Sequence, residues 1–255
     1  MSRRGNLTAD QLGDAMPAHA DPLGFDSASF RGLDLLRFTY TTDAETVAQI
    51  LPAELEIDDE PIANFVFASY RFSTAGAFRE VVQSVQVRFE GQPFSYVPHI
   101  FVPNERAMLA GREREGLPKL TAAIDFDIHT PSPESLISAE LHRPAPVLLA
   151  QGVFQPAELV ATVSPEHPLP PSSPMLGLRV FGGAVPGRPP VVRELVPSQM
   201  EFRTAEVWGG TGSLTLTGAS DLSPLHLVPI VGPVDAMLLR DVDAVLHRAT
   251  TTYPI

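Results

Sequence analysis

Eight short stretches rich in valine, isoleucine and phenylalanine, spaced at about ten residues, run through the chain from position 63. They are ANFVFASYRF (63–72), SVQVRFEG (84–91), FSYVPHIFV (94–102), TAAIDFDIHT (121–130), SLISAELHR (135–143), VLLAQGVF (147–154), MLGLRVFGG (175–183) and GSLTLTGAS (212–220). β-Branched and aromatic residues suit a pleated surface, and turn signals separate the stretches. This pattern predicts antiparallel β architecture, a barrel or a sandwich. Two glycine-rich stretches, VFGGAVPG (180–187) and EVWGGTG (206–212), read as tight turns between strands.

Three segments read as helices. In TDAETVAQILP (42–52), Thr42 and Glu45 form a capping box and Pro52 ends the run. NERAMLAGRERE (104–115) places Met108 and Leu109 on one side. PVDAMLLRDVDAVLHRA (233–249) repeats Met237, Leu238, Val242, Val245 and Leu246 at helical spacing. The predicted fold class is therefore α+β, mostly β. Residues 1–24 read as a polar N-terminal tail or arm, and residues 25–255 as a single domain. PEHPLPPSSP (165–174) suits a loop within that domain.

Composition removes several functions. The net charge is -12, with no basic stretch beyond Arg3-Arg4, which argues against nucleic acid and anionic membrane surfaces. There is no cysteine, so disulfides, thiolate metal sites and cysteine nucleophiles are excluded. No leader-like apolar segment opens the chain, and no run of 18 apolar residues is present, so a soluble cytoplasmic protein is expected. The seven histidines show no spacing that presents two metal ligands on one face, and no metal or cofactor is expected.

Lys+Arg is 18, and Lys119, in GREREGLPKL (111–120), is the only lysine. Arginine keeps its proton and cannot form a Schiff base, whereas a desolvated lysine loses its proton readily and attacks ketones. Leu117, Pro118 and Leu120 give Lys119 an apolar frame. A lysine whose stem packs while its head reaches water would look the same in sequence.

GREREGLPKL resembles the GRE…PKK signature of acetoacetate decarboxylases, in which the first lysine after the proline forms the Schiff base; Lys119 falls on that position. Residues 41–65, 96–113 and 206–230 are similar to further collinear segments of that family. The resemblance covers roughly residues 25 to 250. It implies a cone-shaped antiparallel β-barrel in a homo-oligomer, with Lys119 inside and an imine formed with a keto acid. The family's second lysine is Leu120 here, and its pocket arginine aligns with Leu33, Arg31 and Arg37 being off register. One pocket glutamate aligns with Val66 and the other with Glu80.

What the resemblance implies is catalysis by Lys119 with Glu80 as general acid/base, and a substrate pocket drawn from His99, Leu117, Leu120, Val66, Leu33 and Arg112. Three functions stay open at this point. One is a carbon–carbon lyase, either a β-keto acid decarboxylase or an aldolase-dehydratase using pyruvate. The others are a barrel repurposed as a cyclase or isomerase of an apolar metabolite, and a non-catalytic binder. Each implies a small-molecule partner.

Overall fold

The computed structural model describes residues 3–23, 27–128, 134–169, 172–218 and 220–255. Residues 1, 2 and 24 of the expected tail, 129–130 and 219 of two expected strands, and 170–171 of the expected loop lie outside the described residues. Among the described residues strand makes up 54% and helix 8%, so the mostly-β expectation holds.

Among the described residues, twelve strands and two α-helices carry the fold: β1 (Ala28–Thr41), α1 (Ala44–Ala48), β2 (Ile62–Ser73), β3 (Phe78–Phe89), β4 (Gln92–Phe101), α2 (Glu105–Glu113) and β5 (Lys119–Leu120). There follow β6 (Ala123–Asp127), β7 (Ile137–His142), β8 (Leu148–Val163), β9 (Met175–Phe181), β10 (Val192–Leu216), β11 (Val234–His247) and β12 (Tyr253–Pro254). The pairing path runs β11-β1-β2-β3-β4-β9-β10 and returns on itself, because β11 also pairs with β10. β8, β7 and β6 continue outward from the far end of β10, and β5 adds to β4 in parallel.

Directly paired residues put their side chains on one face of a sheet, so the register sorts the chain into two faces. One face carries Phe38, Phe65, Phe67, Val81 and Phe101, which pack with Phe126, Leu141 and Phe154 of the outer strands in the main core. The opposite face carries Leu33, Ala68, Tyr70, Val207, Leu239 and Val242 in a second cluster. Each large side chain fully buried in these layers contributes about 1.5–3 kcal/mol.

Three expectations are corrected. Residues 233–249 are not a helix but mostly β11. Leu238 packs in the main core and Leu239 and Val242 in the opposite cluster. A strand buried on both faces loses its alternation, and its apolar run imitates helical spacing. The EVWGGTG stretch is not a turn; it lies inside the single 25-residue strand β10. Its glycines permit close approach, since a Cβ on Gly210 would sit 2.1 Å from the Gln155 carbonyl oxygen. In α1 the cap is Asp43, whose carboxylate accepts from the Thr46 backbone N–H at 2.8 Å, and not Thr42, which is buried. β1, with charged Arg31 and Arg37 between its apolar residues, was not among the predicted strands.

Asn104 caps α2 by accepting from the Ala107 N–H at 2.8 Å. Within residues 3–23, Ala15 and Leu23 are buried against Ala110 of this helix, and Arg106 donates to the Pro22 carbonyl. No helix among the described residues is long and apolar enough to cross a membrane.

Candidate active site

Lys119 reaches its place through a short relay of turns. The Leu117 N–H donates to the Gly111 carbonyl at 2.9 Å, and the Lys119 N–H donates to the Leu117 carbonyl at 2.8 Å. Gly116 makes the bend at φ 65, a left-handed conformation that glycine adopts without a Cβ penalty. Arg112 donates to the Lys119 carbonyl at 3.1 Å, so it braces the lysine backbone. The lysine stem then lies against Gly111 of α2, where a Cβ would come within 2.4 Å of Lys119 Cε. GRE…PK is thus a piece of geometry: the glycine makes room, the arginine holds the main chain, and the turn delivers the amine.

The amine meets Glu80. Lys119 Nζ lies 2.6 Å from Glu80 Oε2, and the two residues are 8% and 5% exposed. Tyr70 donates from its hydroxyl to Glu80 Oε1 at 3.0 Å. Phe78 stacks on the Tyr70 ring at 4.3 Å and Phe30 tilts against it at 5.0 Å. Burial, reinforced by the Glu80 charge, pushes the Tyr70 hydroxyl well above its ordinary range, so it stays a donor. One carboxylate oxygen is therefore fixed by a phenol and the other faces the amine. A proton on this line can pass from nitrogen to carboxylate, leaving a neutral amine beside a neutral acid in a site shielded from water.

The register also shows which expected residues share this face. Arg37, Val66, Val82, Ile100 and Lys119 form one cross-strand row through β1, β2, β3, β4 and β5. Leu117, buried with Val97 and Ile100, lies beside it. Leu33 is fully buried in the cluster deeper on the same face. Leu120, next to Lys119 on β5, pairs with Phe101 and packs against the main core on the other face. His99 does not join the lysine either. It pairs with Gln83, on the face of Val81 and Val85.

Arg37 joins the cross-strand row of Lys119 only once the register is known. It is accessible to solvent, and its guanidinium lies 3.6 Å from Met237 Sδ. Surrounding protein desolvates it and pulls it below its ordinary value, but its accessible surface and its intrinsically high value keep it charged. Tyr70 carries no sequence signal of its own; only the pairing of Ala68 with Glu80 brings its strand alongside the carboxylate.

His99 belongs to a buried polar network on the opposite face. Gln83 Nε2 donates to the Tyr40 hydroxyl at 2.9 Å and to the Val228 carbonyl at 3.3 Å, so its Oε1 accepts from His99 Nδ1 at 2.8 Å. Burial, with the nearby His226, pushes the His99 value down to about 4. Unfolded, the same imidazole takes its proton near pH 6.5. Between those values the unfolded chain binds the extra proton, so stability falls as the pH drops from 6.5 through 4. The full effect is about 3 kcal/mol. Chemical denaturation at pH 7.5 and pH 4 checks it: His99→Asn is expected to narrow the gap between the two curves.

Asp125, Glu140 and His142 bring one ligand atom each within 4.8 Å of one another on β6 and β7. Protein groups already hold them: Gln151 donates to Glu140 at 2.8 Å, His142 Nε2 meets Glu140 at 2.9 Å, and Arg79 approaches Asp125 at 3.5 Å. Arg79, adjacent to Glu80 in sequence, therefore points away from it.

Comparison with known proteins bears on the whole chain. The family model for acetoacetate decarboxylase matches residues 15–252. Decarboxylase DEC1 of Cochliobolus heterostrophus is 30% identical over 242 residues, covering 94% of each chain. A solved acetoacetate decarboxylase superposes with a TM-score of 0.80 at 18% identity, covering 97% of this chain and 99% of that one. The enduracididine biosynthesis enzyme MppR complexed with pyruvate superposes with a TM-score of 0.72 at 19% identity, covering 94% of both. The two superpositions speak for the fold.

Proposed function

We propose that this chain, which belongs to the acetoacetate decarboxylase family, is a carbon–carbon lyase that acts on a keto acid through an imine at Lys119. The observation that carries the reading is the 2.6 Å contact between the chain's one lysine and a buried glutamate whose other oxygen is held by Tyr70. The reading takes residues 25–255 as one catalytic domain, with the family match across 15–252 in support.

Glu80 accepts a proton from the Lys119 ammonium, and the free amine adds to the substrate carbonyl. Loss of water leaves an iminium. Its nitrogen takes up the electron pair released when the carboxylate departs as CO₂, or when a proton leaves the adjacent carbon. Glu80, having given its first proton to the departing water, takes a second from solvent or from that carbon and delivers it to the enamine carbon, and water frees the product from Lys119. Tyr70 keeps Glu80 aimed at the reacting atoms by holding the oxygen the amine does not use. Val66, Val82 and Ile100 supply an apolar floor on the same face as Lys119.

Decarboxylation is the reading favoured for the chemical outcome, supported by the decarboxylase names of the relatives that match nearly end to end. Hydrolysis of an imine puts a solvent oxygen into the ketone product. Incubation with a panel of β-keto acids in ¹⁸O-water is expected to give CO₂ and a ketone labelled above its spontaneous exchange rate. CO₂ release with no excess label would contradict the imine. Label in pyruvate with no CO₂ from any β-keto acid would move the outcome to aldol chemistry.

A further inference from the structure

Ser198 is 3% exposed, and among the described residues its buried hydroxyl has no hydrogen-bond partner. It sits in β10, where residues 192–198 pair with β9 and residues 199–202 with β11 without a break in register. Alternation along the strand puts its side chain on the face of Met200 and Phe202, which pack in the second cluster with Leu33 and Tyr70. That is the face of Lys119. Directly across from Ser198 is Met175. Met175 packs in the same cluster and also against Val97, Ile100 and Leu117, and Ile100 pairs with Lys119. Met175 thus bridges the strand of the hydroxyl to the side chains that flank the amine. In the other direction along this face, Val196 forms part of the wall of a cavity of about 340 Å³ that Leu23 and Arg248 also line. Ser198 therefore lies between the cavity and the second cluster, a lone hydroxyl among methionine and valine side chains.

A buried hydroxyl lowers stability unless something bonds to it. Tyr70, Glu80 and Lys119, on the same face, hold one another; Ser198 stands outside that chain of contacts. We propose that Ser198 is a substrate-contacting residue, which reads an oxygen carried on the keto acid beyond its reacting carbonyl. The proposal deepens the lyase reading and takes its keto acid from it. The hydroxyl donates to a carbonyl or hydroxyl oxygen of the ligand. Val196, Met175 and Met200 receive the alkyl chain on either side, and methionine adapts its shape to such chains. The substrate class is an aliphatic β-keto acid longer than acetoacetate, with one further oxygen function along its chain. Ser198 makes and breaks no covalent bond, so it selects the substrate and leaves the chemistry to Lys119 and Glu80.

The test compares 3-oxooctanoate with its 5-hydroxy, 6-hydroxy and 7-hydroxy derivatives. The wild-type protein is expected to show a KM about tenfold lower for one of the hydroxylated acids than for the parent, and Ser198→Ala to erase that preference. Without ligand, Ser198→Ala is expected to raise the melting temperature by about 2–4 °C, because it removes a buried hydroxyl that nothing satisfies. A purely structural serine would shift the melting temperature but not the ratio of KM values. Equal KM values for all four acids in the wild-type protein, or a preference that survives Ser198→Ala, would overturn the proposal. So would a variant that melts lower, since the hydroxyl would then be satisfied within the fold. Failure to turn over any of the acids would instead overturn the lyase reading. Dissociation constants of the same four acids, measured by calorimetry on both proteins, would then decide the Ser198 contact by the same ratio.

Discussion

Lys119→Arg is expected to abolish turnover of every keto acid the wild-type protein accepts, with the protein still folded. Arginine keeps a cation opposite Glu80, so the buried carboxylate remains paired, but its guanidinium does not give up a proton to become a nucleophile. Lys119→Ala is expected to lose turnover and stability together. It leaves Glu80, 5% exposed, with Tyr70 as its hydrogen-bond donor and without its cation. Breaking a buried pair from one side costs about 3–5 kcal/mol. CO₂ release and urea denaturation on the two variants separate the chemical role of the nitrogen from its electrostatic one. Substantial turnover by the arginine variant would remove the lysine from the mechanism.

Gly111→Ala is expected to reduce turnover about 100-fold, the size of effect that a misplacement of about 1 Å produces. In an ordinary helix the change stabilises by about 1 kcal/mol. Here the new methyl group would come within 2.4 Å of Lys119 Cε and 2.6 Å of Cδ, so the lysine stem must move and the 2.6 Å contact with Glu80 with it. The signature is a variant that melts near the wild-type temperature yet has lost its chemistry. Calorimetry beside a CO₂ assay reads both. An active Gly111→Ala protein would mean that the amine works from a position other than the one against α2.

How much of this was legible beforehand depended on whether a feature is local. The GRE…PK stretch encodes its own turn and glycine contact within nine residues and carries the chain's only lysine, so Lys119 could be singled out from sequence. Glu80 was singled out only through a family resemblance, since no local rule distinguishes it from Arg79 beside it; the contact with Lys119 at 2.6 Å comes from the fold. Tyr70 and Arg37 needed the register, because their relation to the site is that of strands paired side by side, and a shift of one residue would turn each to the other face. The same parity separates Leu120 from Lys119 although they are neighbours in the chain. It also sets His99 in the Gln83 network on the opposite side. β11 misled for a different reason. A strand packed on both faces has no polar side to reveal its two-residue period, and the apolar positions that remained fitted a helix.

The most direct test of the account is reductive trapping on the single lysine. The purified chain would be incubated with acetoacetate, pyruvate and a panel of longer β-keto acids, reduced with borohydride, and weighed intact and after digestion. The account predicts a mass increase equal to the reduced imine of the accepted keto acid or its ketone product, located on Lys119 and missing from Lys119→Arg. An unmodified Lys119 after reduction with every keto acid, in a folded protein, would contradict it.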